Sequence, residues 1–314
     1  MKGLVIKSTG SWLIVRGEDQ SLIPCKIKGT FRIKGIKTTN PVAVGDHVIF
    51  RPGDDGKTGL ITEIGERKNY IVRKSKKLSK VSQIIAANID QLILMVSMVL
   101  PRTSPGFIDR FLVTAEAYHI PAVLFFNKYD LYSEEDKNDL EEFMGIYENA
   151  GYPCLVMSAE TGYGMEKVID TLKDKISLLS GNSGVGKSTM INRLEPGLDL
   201  KTMEISAYHE KGQHATTFAE MHQLSIGGSI IDTPGIREFG LINFDKREVA
   251  ERFPEFRKLM RNCRYSNCIH INEPGCAVKE GVEKGHISPS RYNSYLKIYF
   301  GDDWEEIEKK SKNH

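Results

Sequence analysis

The sequence lacks any long hydrophobic run. Its longest apolar stretch, Leu92 to Leu100, is broken by Ser97 and stops at Pro101, too short to cross a bilayer. Met1-Lys2-Gly3-Leu4 carries neither the apolar segment nor the small-residue cleavage site of a secretory signal, so a cytoplasmic protein with no membrane association is expected. Internal repeats and low-complexity tracts are missing too. Cysteine is scarce: there are five, an odd count that does not suit a disulfide framework. An overall charge excess is absent as well, at +2.

What is present is ordinary globular material. Hydrophobic residues at 40% and charged residues at 27% exclude a disordered chain, and 314 residues leave room for two or three small domains. The near-zero net charge hides an asymmetry. Residues 1–80 hold 17 Lys or Arg against 7 Asp or Glu, so the remainder of the chain is acidic. A basic N-terminal part suggests an anionic partner, nucleic acid first, although a solvated basic surface would read the same way.

The first seventy residues read as short strands bounded by Gly, Asp or Pro: Leu4-Val5-Ile6, Ser11 to Val15, Leu22 to Ile27 and Asp46 to Phe50. A small closed β-barrel fits, of OB-fold or SH3-like type. Beyond the charged run Arg73 to Lys77 the texture changes to strands alternating with helices, the pattern of a parallel α/β sheet. Strands are expected at Ile89 to Met98, Ala122 to Phe126, Cys154 to Met157 and Ile176 to Leu179. A helix is expected over Gly106 to Tyr118, and another capped by Ser133 with Glu134, Glu135 and Asp136 at its positive end. The last quarter turns helical around a cysteine cluster, with a terminal helix from about Pro289.

Gly181-Asn182-Ser183-Gly184-Val185-Gly186-Lys187-Ser188 fits the P-loop pattern, after a strand and before a helix. Glycines let backbone N–H groups turn around phosphates, Lys187 would reach the β- and γ-phosphates, and Ser188 would ligate Mg²⁺. The base is chosen elsewhere. Asn127-Lys128-Tyr129-Asp130 follows a strand, and the Asp130 carboxylate can accept from both guanine N1–H and the exocyclic amine. Adenine offers no such donor pair, and an unsatisfied buried carboxylate costs on the order of 1–3 kcal/mol or more. Ser158-Ala159-Glu160 resembles the SAK-type loop that touches guanine O6 with its backbone. Asp232-Thr233-Pro234-Gly235 follows Ile230-Ile231 and supplies a carboxylate for Mg²⁺ through water and a Gly235 N–H for the γ-phosphate.

Between P-loop and DTPG lies a switch segment, Lys211 to Thr217, in which Thr216 is preferred over Thr217 as a Mg²⁺ ligand. Ile236 stands where Ras-like enzymes keep a water-orienting glutamine, which predicts slow intrinsic hydrolysis. His214 is the internal candidate for that catalytic task, with contact to a partner or a backbone cap as the competing role. The motifs run in permuted order, with NKYD and SAE ahead of the P-loop. A site assembled in space tolerates such a reordering.

Cys263, Cys268, His270 and Cys276 offer three thiolates and an imidazole within fourteen residues, a set suited to one tetrahedral, structural Zn²⁺. Unpaired buried thiols are the alternative. Cys25 and Cys154, in apolar strand-like surroundings, read as small buried hydrophobes.

Taken together, the basic barrel, the permuted motifs, the Gly212-Gln213-His214-Ala215-Thr216-Thr217 switch and the cysteine–histidine cluster resemble the bacterial ribosome small-subunit-dependent GTPase A family, over essentially the whole chain. The resemblance implies an OB-like barrel contacting ribosomal RNA over 1–70, a circularly permuted P-loop GTPase domain over 71–240 and a zinc-binding helical module over 241–314. It implies GTP hydrolysis to GDP and phosphate, stimulated by the small ribosomal subunit and serving its late maturation. Ala215 departs from the family's switch, which usually has a third threonine there. The competing reading is a GTP-gated RNA-binding or scaffold protein with negligible turnover. Nothing calls for an obligate dimer, and a monomer is expected.

Overall fold

The computed structural model describes residues 1–9, 12–27, 41–53, 57–74, 82–198, 219–232 and 246–301. Five strands open the chain: β1 (Lys2–Ser8), β2 (Leu13–Gly17), β3 (Leu22–Ile27), β4 (His47–Pro52) and β5 (Gly59–Ile64). β1 pairs antiparallel with β2 and with β4, β2 with β3, and β4 with β5, while β3 and β5 run parallel. The ring closes, so this is the OB-like barrel. Side chains alternate across each strand, and Val5, Leu13, Val15, Val48, Phe50 and Ile61 fill the interior with Cys25 among them. Burial pushes the Cys25 thiol up to about 11, as befits a packing residue.

A hairpin follows, β6 (Tyr70–Lys74) with β7 (Ser82–Ala87). The α/β portion then runs β8 (Gln91–Val96), α1 (Pro105–Ala117), β9 (Ala122–Phe126), α2 (Glu134–Ala150), β10 (Cys154–Val156), α3 (Met165–Leu172), β11 (Ile176–Gly181), α4 (Lys187–Leu194), β12 (Glu220–Gln223) and β13 (Ser229–Asp232). In the sheet the order is β10-β9-β8-β11-β13-β12, parallel except for β12. β8 is buried at all six positions because both of its faces are covered. Leu92, Leu94 and Val96 pack with the α1 and α2 layer, and Ile93 and Met95 with α3 and α4. Among the described residues no helix is long and apolar enough to cross a membrane.

β12 also pairs with β1, so the α/β sheet and the barrel share one eleven-stranded path. Lys7 and Glu220 form an ion pair of 2.8 Å at that seam. The C-terminal region carries α5 (Pro254–Leu259), α6 (Ala277–Glu283) and α7 (Pro289–Phe300) around Phe253, Phe256, Val278, Ile287 and Tyr295. Val113 of α1 completes this cluster, so the region packs directly on the α/β domain.

Candidate functional site

Parallel strands direct their following loops to one edge of a sheet, and that edge gathers the motifs here. Asn127 follows β9, Ser158 follows β10, the P-loop follows β11, and Asp232 ends β13. The register sets β9 beside β8, β8 beside β11 and β11 beside β13, with Gly181 level with Met95 and Asp232 level with Leu179.

Asn127 joins three of these loops. Its buried amide donates to the Val185 carbonyl of the P-loop at 2.8 Å, and its Oδ1 accepts from the Ala159 N–H at 2.8 Å. Gly186 lies against that amide with φ +105, and a Cβ there would sit 2.2 Å from Asn127 Nδ2. Only glycine meets both demands at this point of the loop. The helix α4 begins at Lys187, whose ammonium donates to the carbonyls of Gly181 (2.8 Å) and Asn182 (2.9 Å). Ser188 occupies the first turn of that helix, where unsatisfied N–H groups concentrate positive potential.

Lys128 adopts the left-handed conformation, φ +68, and introduces a short helical turn that carries Tyr129 and Asp130. Its ammonium donates to the Leu100 carbonyl, and burial lowers its pKa against the opposing pull of Asp130. Asp130 Oδ1 accepts from the Ser158 hydroxyl, which ties the NKYD carboxylate to the SAE loop. Tyr129 stacks on Tyr163 at 4.9 Å between centroids. Tyr132 braces the segment from behind: its hydroxyl donates to the Asn127 carbonyl and accepts from the Met98 N–H, both at 2.9 Å. His214, Thr216, Thr217, Gly235 and Ile236 lie outside the described residues.

Sequence reasoning missed Arg193. It belongs to no nucleotide motif, yet its Nε donates to the Ala159 carbonyl at 2.6 Å and an Nη donates to that of Glu160. An arginine late in the P-loop helix, six residues after the lysine, gives no signal until the SAE loop is placed beside it.

A second cluster forms in the C-terminal region. One ligand atom each from Cys263, Cys268, His270 and Cys276 lies within 4.8 Å of all the others. His270 Nδ1 faces Cys263 Sγ at 3.6 Å and Cys276 Sγ at 3.4 Å. Sulfur ligands at about 2.3 Å around a tetrahedral ion lie roughly 3.8 Å apart, so these donors fit a metal of that geometry. Burial pushes the Cys268 thiol up to about 12, raises that of Cys276 and lowers the His270 pKa. A cation among them would offset the cost of buried thiolates, and a neutral imidazole is the form that ligates. The loop is held from outside: Glu273 accepts from the N–H groups of Ile269 and Ile271 (2.9 and 3.0 Å), and the Tyr292 hydroxyl donates to the His270 carbonyl at 2.7 Å.

A closed barrel, a P-loop sheet in which the NKYD and SAE loops come first in the chain, and a Cys₃His cluster define a circularly permuted GTPase. The comparisons agree. Residues 64–242 match the RsgA GTPase family and residues 2–61 the RsgA N-terminal domain. The chain is 53% identical to the small ribosomal subunit biogenesis GTPase RsgA of Bacteroides fragilis, covering 95% of this chain and 96% of that protein. It is also 53% identical to the RsgA of Christiangramia forsetii, over 96% and 97% of the two chains. Among solved structures it resembles YjeQ from Thermotoga maritima, with a TM-score of 0.77 and 36% identity over 95% and 97% of the two chains. The circularly permuted GTPase YloQ aligns with a TM-score of 0.72 and 29% identity over 98% and 95%. This chain belongs to the RsgA family of GTPases.

Proposed function

We propose that this protein hydrolyses GTP to GDP and phosphate, that the small ribosomal subunit stimulates the reaction, and that it acts in late maturation of that subunit while bound to ribosomal RNA. The observation that carries the reading is Asn127, whose one side chain ties the NKYD loop to both the P-loop and the SAE loop. That convergence supports a single pocket for phosphates and guanine. The names of the relatives support the small subunit as the partner.

In this reading Gly181 to Ser188 wrap the phosphates, with Lys187 as their cation. Asn127, Lys128, Tyr129 and Asp130 hold guanine with Ser158 and Ala159. Ser188, Asp232 and Thr216 hold Mg²⁺, Gly235 meets the γ-phosphate, and His214 positions water. The Cys₃His cluster takes one structural zinc. The units run 1–70, 71–240 and 241–314, and the protein works in the cytoplasm as a monomer.

Steady-state GTP hydrolysis, measured with and without purified small ribosomal subunits at fixed salt and magnesium, tests the proposal. Strong stimulation by small but not large subunits, lost in Lys187→Ala, is the expected result. Tight GTP binding with no stimulation by subunits would overturn it and leave a GTP-gated RNA-binding protein.

A further inference from the structure

The loop that reads guanine in the proposed site is clamped by a side chain lying outside every nucleotide motif. Arg193 stands in the last turn of α4, the helix that begins at the phosphate lysine. Its guanidinium grips two successive carbonyls of the SAE loop, Ala159 through Nε at 2.6 Å and Glu160 through Nη2. A planar fork holding two neighbouring carbonyls fixes two peptide planes, where a lysine would hold one. In a trans peptide the C=O and N–H point opposite ways. Fixing these carbonyls therefore also aims the N–H groups of Glu160 and Thr161 away from Arg193.

The consequence reaches the base-reading carboxylate. The Thr161 N–H donates to Ser158 Oγ at 3.1 Å, and that hydroxyl donates to Asp130 Oδ1. A continuous path of peptide and hydrogen bonds thus runs from the phosphate helix to Asp130. Asn127 holds the same loop from the other side, through the Ala159 N–H. The loop is shaped to admit the clamp: Gly162 has φ +91, and a Cβ there would lie 2.9 Å from the Arg193 guanidinium. The arginine is itself exposed, so no core depends on it.

We propose that Arg193 is a positioning residue for guanine recognition, holding the Ala159–Glu160 peptides against the phosphate helix so that Ser158 presents Asp130 to the base. This inference rests on the guanine site proposed above. Arg193 acts through the loop, so its removal should blunt discrimination at the base edge that Asp130 reads, leaving the phosphate contacts in place.

The test is equilibrium binding of GDP, IDP and XDP to the full-length protein, in the wild type and in Arg193→Ala, Arg193→Lys and Asp130→Asn. IDP lacks the 2-amine that Asp130 reads. In Arg193→Ala, GDP affinity should fall about tenfold and IDP affinity by less, so that the GDP-to-IDP preference narrows. A tenfold change matches the loss of about one net hydrogen bond. Arg193→Lys should fall between the two. Equal weakening of both nucleotides, or an unchanged preference, overturns the positioning role. Asp130→Asn reports on the site itself, because an amide can donate to the C2 carbonyl of xanthine, so GDP should weaken and XDP gain. If that exchange fails, the guanine site is wrong and the inference falls with it. If it succeeds while Arg193→Ala keeps the wild-type preference, the inference alone fails.

Discussion

At the scale of residues, the site depends on buried polar groups that satisfy one another. Asn127 is 2% exposed and supplies both a donor and an acceptor to separate loops. Asn127→Ala would leave the Val185 carbonyl and the Ala159 N–H without that partner, each costing about 1–3 kcal/mol when desolvated. The variant should bind GDP at least about tenfold more weakly and melt at a lower temperature. Titration and thermal unfolding of the same preparation check this, and wild-type affinity would show that the amide does not organise the pocket. The motifs that hold these residues were legible in the sequence, because a P-loop or an NKxD segment is recognised by particular residue types at fixed spacing. Their wiring was not. Asn127 reads as a base contact in one dimension, and its bonds to positions 159 and 185 arise only when three strands lie side by side. Arg193 was invisible for the same reason.

At the scale of elements, local chemistry was read well where it is self-contained. Ser133 and Asp136 form a reciprocal cap at the start of α2, with Asp136 N donating to Ser133 Oγ at 3.1 Å and Ser133 N to Asp136 Oδ2 at 2.9 Å. Such a cap is complete within four residues, so the sequence discloses it. Strands β5, β6 and β7 were not anticipated, because their residues lack a clean apolar alternation and gain their places from partners across the barrel and hairpin. Gly59, for instance, is level with Cys25, a pairing set by the parallel contact of β3 and β5. The C-terminal helices are short, at six, seven and twelve residues, and the first two could not persist alone. The cluster of Cys263, Cys268, His270 and Cys276 is joined to them: the Cys276 side chain caps α6, and Tyr292 and Tyr295 of α7 donate to the carbonyls of His270 and Ile269. Binding of a structural zinc contributes on the order of 10 kcal/mol at neutral pH. Cys276→Ser should therefore lose the proposed zinc and the ordered aromatic packing of Tyr292 and Tyr295. Elemental analysis and near-ultraviolet circular dichroism would show it, and a variant that kept one zinc per chain with a native spectrum would remove Cys276 from the ligand set.

At the scale of the whole molecule, the units meet through specific contacts as well as apolar ones. On one side β1 continues the sheet from β12, so the barrel is bonded to the strand that leads, through a turn, into Asp232. On the other, Arg291 of α7 is buried between the C-terminal region and the α/β domain. Its guanidinium pairs with Asp109 of α1 at 2.7 Å and with Glu255 of α5 at 2.7 Å, and lies 4.6 Å from the ring centre of Phe253. Burial raises the pKa of Asp109, and the Arg291 charge opposes that rise. Replacing one partner of a buried pair leaves the other charge uncompensated, at about 3–5 kcal/mol. Arg291→Met keeps the apolar bulk and should destabilise the protein by that order at neutral pH, in a denaturant titration. The pH dependence separates this cause from a packing defect. Without the guanidinium, burial and the Glu255 charge act on Asp109 against only the Ser294 hydrogen bond, so its folded-state pKa stands further above its unfolded value. A carboxyl in that condition supports the fold while protonated, and its contribution is lost as pH rises through the folded-state pKa. The stability gap between wild type and Arg291→Met should accordingly widen as pH rises above the ordinary aspartate range and shrink on acidification toward about pH 4. A gap that stayed constant over that interval would mean that the variant suffers from lost packing around Phe253, and that the charge is not what joins the two domains.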